Sequence, residues 1–291
     1  MLARTTDTAE IRRRLATRVA SRELTSVPLC LDPLTARLAE QLGFQAGYVS
    51  GGALGFALAV SEALLSVDEL AAATRAIVRR CDLPIIVDGG VGFGDPVHVT
   101  RMMWELEAAG AAAVELEDQV APKRVSHHRG IEHLVPREEM AAKVAAAVAA
   151  RQDPNFLVIA RTAAVRHEGI DAACERAAAY AAAGADVVMV PIPATPEDFA
   201  RVAAVVDVPL ATIGLMDHAA EAHPSIGLFI DSITPHVVVF QATKDLLERH
   251  ARGEGSGIES PTLMARYREL GTTAGLEGLY DIERRTTEPG T

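Results

Sequence analysis

The chain has 291 residues with a formal net charge of -11 at pH 7, and 49% of its residues are hydrophobic. This acidic balance argues against nucleic acid or an anionic membrane as the main partner. No apolar run reaches the roughly 18 residues of a membrane span, and the N-terminus has no signal-peptide pattern, so we expect a cytoplasmic protein.

Strand-like apolar runs alternate with amphipathic, helix-like segments almost throughout the chain. The predicted strands are Val27–Leu31, Ala46–Ser50, Leu83–Asp88, Ala112–Glu117, Phe156–Arg161, Asp186–Pro191, Val208–Thr212 and His236–Phe240. The clearest predicted helices are Ser66–Arg80, Asp95–Ala109, Arg137–Arg151 and Gly169–Ala183. Eight strand-helix units of this spacing predict an α/β fold of the (β/α)8 TIM-barrel type, with a doubly wound open sheet as the alternative.

Two segments depart from the alternation of strands and helices. Asp118–Pro136 is long and polar and follows the fourth strand directly, so we expect a gating loop over the barrel mouth. From about Gly253 the chain becomes polar and rich in glycine, before one or two short helices that reach Arg285. We therefore predict a barrel domain over residues 1–252 and a C-terminal helical extension over residues 253–291, with an end that frays from Thr286 onward.

Three consecutive predicted strands end on charged side chains. The first two end on Asp88 and Glu117 and the third on Arg161, at the edge where α/β barrels build their active sites. Two acids on neighbouring strand ends can hold a hard cation such as Mg²⁺, although they could instead cap helices or pair with arginines. The arginine can bind a substrate carboxylate or phosphonate in bidentate fashion, or form a structural pair with Glu117 or Asp118.

Two further motifs could bind an anion near these strand ends. Ser50-Gly51-Gly52 follows the second strand, and its glycines allow backbone N–H groups to approach an anion closely, although such a turn is also common without function. Lys123-Arg124-Val125-Ser126-His127-His128 concentrates cations and imidazoles in the predicted gating loop. That loop is either an ordinary solvated segment or a lid that excludes water from an anionic substrate.

Several short stretches, in this order, resemble the isocitrate lyase and phosphoenolpyruvate mutase superfamily, closest to its methylisocitrate lyase and carboxyphosphonoenolpyruvate phosphonomutase branch. The resemblance covers most of the chain, from about Pro28 to Phe240. The matching stretches are Ala36-Arg-Leu-Ala-Glu40, Tyr48-Val-Ser-Gly-Gly52, Val87-Asp88, Gly92-Phe-Gly94, Leu116-Glu-Asp-Gln119, Pro122-Lys-Arg124, Pro136-Arg-Glu-Glu-Met140 and Ile159-Ala-Arg-Thr162.

The resemblance implies a (β/α)8 barrel, commonly tetrameric, whose C-terminal helices are exchanged between subunits. It also implies Mg²⁺, which stabilises the enolate formed when a C–C or P–C bond breaks. By motif match, Asp88 and Glu117 serve the metal. The residues expected to bind substrate or take part in catalysis are Ser50, Gly51, Gly52, Lys123, Ser126, His127 and Arg161.

The chain also departs from the pattern that it resembles. The lyases carry a catalytic cysteine in the gating loop and the mutases usually an asparagine, whereas this chain has Val125. A second acid, two residues after the metal aspartate, is here Gly90. Another aspartate of the family falls on Ser61, with Glu62 beside it as a candidate replacement, and a lyase glutamate aligns with Pro191.

From these matches and losses we expect a Mg²⁺-dependent carbon-carbon lyase or decarboxylase that acts on a small 2-oxo or 2-hydroxy carboxylate through an enolate. Without the loop cysteine, His127, Ser126 or a bound water would supply the proton. The alternatives are a phosphonomutase or phosphonopyruvate hydrolase that acts on a P–C bond, and an inactive barrel that binds a carboxylate. In each case we expect a small-molecule ligand and a homo-oligomer, either a dimer or a tetramer.

Overall fold

Eight parallel strands form a closed barrel in the computed structural model, which describes residues 4–191, 194–215 and 223–288. Hydrogen-bonded neighbours follow the order β1-β8-β7-β6-β5-β4-β3-β2. Tyr48 closes the ring, because its N–H donates to Pro28 at 2.9 Å and its carbonyl accepts from Cys30 at 2.8 Å. The predicted barrel is therefore confirmed. The strands are β1 Thr25–Val27, β2 Gly47–Val49, β3 Ile85–Asp88, β4 Ala113–Glu117, β5 Leu157–Arg161, β6 Val187–Met189, β7 Leu210–Ile213 and β8 Ile226–Ile230.

One predicted strand is wrong, and the other seven overlap observed strands. His236–Phe240 lies in a helix, Thr234–Ala251, whereas the eighth strand is Ile226–Ile230. The run of valines has strand-like composition, but Pro235 in the first turn begins a helix. Its apolar side chains lie on the surface, with Val239 63% exposed, while every residue of β8 is buried.

The four helices predicted most clearly are present, each within two residues of its expected ends. Local capping explains two of their starts: Ser66 forms a capping box with Glu69, and Asp95 accepts N–H bonds ahead of Pro96. The helices are α1 Thr8–Ala20, α2 Pro33–Gln41, α3 Gly51–Ala57, α4 Val67–Val78, α5 Pro96–Ala108, α6 Arg137–Ala150, α7 Ala164–His167, α8 Ile170–Ala182, α9 Pro196–Ala203, α10 Thr234–Ala251, α11 Ser260–Ala274 and α12 Leu276–Thr286.

Successive side chains along each strand point alternately into the barrel interior and toward the surrounding helices. In β3, Ile86 faces the interior cluster, whereas Ile85 and Val87 pack toward the helices. Leu15 and Val19 of α1 join the interior cluster near the start of the strands. The carboxyl ends of the strands are therefore left to form the mouth.

The last three helices carry many exposed apolar side chains. No residue of α10 is buried, and α11 packs against α2 and α12. The predicted division after residue 252 falls just beyond the end of α10 and stays a prediction. Of the tail expected to fray, Thr286 ends α12 and residues 289–291 lie outside the described residues. In the part of the chain that the structure describes, no helix is long and apolar enough to cross a membrane.

Candidate active site

The barrel brings the three predicted strand-end side chains together at the mouth. β3 pairs with β4 so that Asp88 lies opposite Glu115, and β4 pairs with β5 so that Glu117 lies opposite Arg161. Asp88 is 5% exposed and Glu117 is 1% exposed. The mouth therefore concentrates buried charge on three adjacent strands.

Asp88 is held by backbone N–H groups on both of its oxygens. Oδ1 accepts from Gly90 at 2.9 Å and Oδ2 accepts from Gly51 at 3.1 Å. Gly90 has a φ of 53°, a left-handed conformation in which its N–H folds back toward the carboxylate. Burial, followed by the negative charges of Glu62 and Glu115, raises the pKa of Asp88 to about 8. Burial and the neighbouring negative charges therefore disfavour the ionised form of Asp88, which a bound cation would favour.

The carboxylate of Glu117 contacts one side chain of the predicted gating loop and one side chain just after its own strand. Its Oε1 lies 2.5 Å from Nζ of Lys123, and its Oε2 accepts from Nε2 of Gln119 at 2.9 Å. Burial alone would lower the pKa of Lys123, but the carboxylates of Glu117 and Glu62 raise it above its ordinary value. The ammonium is therefore a permanent cation in the mouth.

Glu62 links the predicted gating loop to the barrel, because its carboxylate contacts two side chains of that loop. It begins a 3-10 turn, Glu62–Leu64, and its carboxylate accepts a hydrogen bond from Nζ of Lys123. Its Oε2 lies 3.3 Å from Nε2 of His127, whose Nδ1 lies 2.6 Å from the carbonyl oxygen of Arg124. Burial opposes ionisation of Glu62, but these bonds to His127 and Lys123 lower its pKa to about 2. The loop is thus closed over a cavity of about 210 Å³ that Asp88 also lines.

Arg161 forms an ion pair with Glu115, a residue that was not predicted from the sequence. Its Nη1 lies 2.9 Å from Oε1 of Glu115 and 3.7 Å from Oε2 of Glu117. Glu115 is fully buried, and its Oε2 also accepts from the Tyr48 hydroxyl at 2.5 Å. The strand period of two could have revealed it, because residues two apart in a strand point to the same face.

Asp118, the other partner considered for Arg161, turns away from the mouth. It accepts from the hydroxyl of Tyr180 at 2.9 Å and lies 3.3 Å from Nη1 of Arg176. The expected pairing of Arg161 with Glu117 is found at longer range, whereas pairing with Asp118 is wrong. The reason is strand alternation, which directs Asp118 to the opposite face from Glu117.

Replacing Glu115 by glutamine is expected to lower the free energy of unfolding by about 3 to 5 kcal/mol, because it breaks a buried ion pair and leaves the guanidinium of Arg161 short of a counter-charge. Urea denaturation measures the change. The control is Glu105→Gln, which removes an exposed partner of Arg101 and should cost less than about 1 kcal/mol. Equal losses in both variants would contradict this reading of the site.

The other predicted site residues have local partners. Oγ of Ser50 accepts from Ala53 at 3.2 Å and caps α3, and the Gly51 N–H is engaged by Asp88, while Gly52 lies in the first turn of the same helix. Oγ of Ser126 donates to the carbonyl of Ile131 at 3.2 Å. Their roles in substrate binding stay predictions.

The donor set at the mouth fits a divalent cation. The carboxyl groups of Asp88, Glu62, Glu115 and Glu117 outnumber the two permanent cations, Lys123 and Arg161, so that ionisation of Asp88 would leave an excess of negative charge. Among the described residues, no group of three or more His, Cys, Asp or Glu side chains is arranged to hold a metal by itself. Mg²⁺ needs only one or two carboxylates when waters and substrate oxygens complete its shell, so Asp88 and Glu117 are sufficient.

This fold and mouth define a (β/α)8 barrel with an acid-lined active-site cleft. A family model described as phosphoenolpyruvate phosphomutase matches residues 17–237. The chain therefore belongs to the phosphoenolpyruvate phosphomutase family, and the resemblance stated from the sequence is confirmed.

Individual relatives agree with this assignment. The chain is 43% identical over 202 residues to a probable 2-methylisocitrate lyase 2 of Corynebacterium glutamicum, covering 69% of this chain and 66% of the relative, just under two thirds of that protein's length. It is 32% identical over 276 residues to 2,3-dimethylmalate lyase of Eubacterium barkeri, covering 91% and 94% of the two chains. A crystal structure of phosphonopyruvate hydrolase with oxalate and Mg²⁺ has a TM-score of 0.82 at 30% identity, covering 95% of this chain and 99% of the other.

Proposed function

We propose that the protein is a Mg²⁺-dependent lyase or decarboxylase that cleaves a C–C bond in a small 2-oxo or 2-hydroxy carboxylate. The observation that carries the proposal is the buried, negatively charged mouth in which Asp88 and Glu117 stand beside Arg161. The two relatives named above as lyases act on substrates of this size, and they support cleavage of a C–C bond.

Each residue of the mouth has a chemical task in this proposal. Asp88 and Glu117 hold the metal, which supplies Lewis-acid stabilisation of an enolate when it is bound. Arg161, anchored by Glu115 at 2.9 Å, keeps its remaining N–H groups for a substrate carboxylate. Lys123 and His127 hold the loop against Glu62, which excludes water from the reacting carbon.

A second candidate function is cleavage of a P–C bond. The phosphonopyruvate hydrolase structure covers 95% of this chain with a TM-score of 0.82 and 30% identity, so a relative that acts on a P–C bond shares the whole fold. The hydrolase structure holds oxalate, a small carboxylate, together with Mg²⁺, and a carboxylate with Mg²⁺ is the combination proposed for this mouth. An inactive barrel that only binds a carboxylate is the remaining alternative.

A substrate panel distinguishes these functions. Purified protein with Mg²⁺ is offered oxaloacetate, phosphonopyruvate, 2-methylisocitrate and 2,3-dimethylmalate, and proton and phosphorus NMR identify the products. Cleavage of a carbon substrate supports the proposal, and release of phosphate or a rearranged phosphoryl group supports the second candidate. No product from any of the four, together with metal-dependent oxalate binding, would favour the inactive barrel.

We further propose that the protein is a homo-oligomer, a dimer or a tetramer, in which a second copy covers the exposed apolar face of α10. Val237, Val238 and Phe240 are each more than half exposed there, a patch that monomeric proteins rarely leave open. Val238→Glu combined with Phe240→Glu is expected to reduce the mass measured by light scattering to that of a monomer. Val97→Glu, at an exposed position of α5, is the control and should leave the mass unchanged. A monomeric wild-type protein would contradict this proposal.

A further inference from the structure

A second cavity, of about 160 Å³, is lined by Arg161. Pro191, which the resemblance described above aligns with a lyase glutamate, lines it too. Glu132 of the gating loop lines the same cavity together with Thr162. The loop therefore brings a carboxylate into the space from which the strand-end carboxylate has been lost.

Glu132 is paired with His167, a residue that was not predicted from the sequence to belong to the site. Its Oε2 lies 2.6 Å from Nε2 of His167, at the end of α7. Its Oε1 accepts from Nε2 of Gln119 at 3.2 Å, and the same amide donates to Oε2 of Glu117 at 2.9 Å. Hydrogen bonds thus run from the metal-site carboxylate through Gln119 and Glu132 to His167, whose side chain is 21% exposed.

The two loop residues expected from the sequence as proton donors, His127 and Ser126, lie elsewhere, and so does Val125, which stands in the position of the loop cysteine. Val125 carries no proton that it can donate and is 57% exposed. Nδ1 of His127 lies 2.6 Å from the Arg124 carbonyl oxygen and Nε2 lies 3.3 Å from Oε2 of Glu62, while the Ser126 hydroxyl donates to a backbone carbonyl. None of these three residues lines the cavity that Glu132 shares with Arg161.

We propose that Glu132 and His167 form the acid–base pair that replaces the missing loop cysteine, an inference that rests on the proposed function. When the C–C bond breaks, its electron pair stays on the departing carbon as a carbanion or enolate. Glu132 donates a proton to that carbon and a C–H bond forms. His167 then passes a proton from solvent to the Glu132 carboxylate and restores the pair. In a 2-hydroxy acid the hydroxyl proton leaves to solvent as the carbonyl forms, so protons and electrons balance.

Hydrogen exchange tests this step without knowledge of the natural substrate. Protein and Mg²⁺ are incubated in D₂O with pyruvate, alone and together with propionate, and proton NMR follows deuterium entering carbon 3 of pyruvate or carbon 2 of propionate. Wild-type protein should catalyse exchange in at least one acid. Glu132→Gln and His167→Gln should each slow it by about 100-fold or more, the usual contribution of a general acid or base.

Two controls separate a lost proton transfer from a damaged site. Calorimetry should find Mg²⁺-dependent binding of oxalate unchanged in both variants, which shows that the fold and the metal site persist. His98→Gln removes a histidine that is likewise paired with a carboxylate, Asp95 at 2.6 Å, but lies on α5 outside the cavity, and it should exchange like the wild type.

The possible results distinguish a failure of the acid–base pair from a failure of the proposed function on which it rests. Slow exchange in both variants with intact oxalate binding supports the pair. Wild-type exchange in either variant overturns it, and so does a wild-type protein that binds oxalate with Mg²⁺ but exchanges neither acid. A wild-type protein that binds no oxalate in the presence of Mg²⁺ contradicts the proposed function itself.

Discussion

Asp88→Asn is expected to weaken the Mg²⁺-dependent binding of oxalate by at least about 100-fold, equivalent to about 2.7 kcal/mol. Asparagine keeps the size of the side chain but removes the charge that a hard cation requires. Asp88 is 5% exposed, so little water is available to compensate for that charge. Isothermal titration calorimetry with oxalate, with and without Mg²⁺, measures the loss.

The matched control for this substitution is Asp95→Asn, seven residues further along the chain. Asp95 is exposed and caps the start of α5, where it accepts from Val97 at 3.0 Å. Asparagine caps a helix about as well as aspartate does, so this substitution should leave both the helix and the oxalate affinity unchanged. If Asp88→Asn binds oxalate as tightly as the control does, Asp88 is not the metal anchor and the proposed function loses its main support.

The placement of Asp88, Glu117 and Arg161 was predictable because a parallel barrel brings the carboxyl ends of its strands to one face. Their strands are apolar runs that end on a charge, so sequence pattern alone located them. His236–Phe240 shows where such a pattern fails. The β-branched composition of this run predicts a strand, but the run lies exposed on α10. Its exposure depends on which segments pack against it, and composition alone does not predict that.

The charges that complete the mouth were harder to predict, because they meet only after the loop closes. Glu62 precedes its partner Lys123 by 61 residues, and Glu132 precedes His167 by 35. No local period connects such pairs: the resemblance pointed to Glu62 and Lys123 separately, and nothing in the sequence pointed to Glu132 or His167. Glu115 is different, because its position two residues before Glu117 already placed it on the same face of β4.

Lys123→Met is expected to strengthen Mg²⁺ binding in the absence of substrate by about tenfold, even though Lys123 holds the loop against Glu62 in the proposed function. Its ammonium lies 2.5 Å from Oε1 of Glu117 and also binds Glu62, so it occupies carboxylates that would otherwise attract the metal. Two unit charges 4 Å apart interact by about 4 kcal/mol at an effective dielectric constant of 20, so removal of one repelling cation easily supports a tenfold change. Methionine keeps much of the length and the apolar character of the lysine stem.

Arg124→Met is the control, because it removes the next cation of the same loop. Nη1 of Arg124 bonds to the carbonyl of Pro122 at 3.2 Å rather than to a carboxylate of the mouth, so its loss should leave the Mg²⁺ affinity near that of the wild type. Tighter binding in Lys123→Met alone means that the loop lysine and the metal compete for the same negative charge. Weaker binding in Lys123→Met would instead mean that the lysine organises the carboxylates for the metal, and the competition argued from its contacts would be wrong.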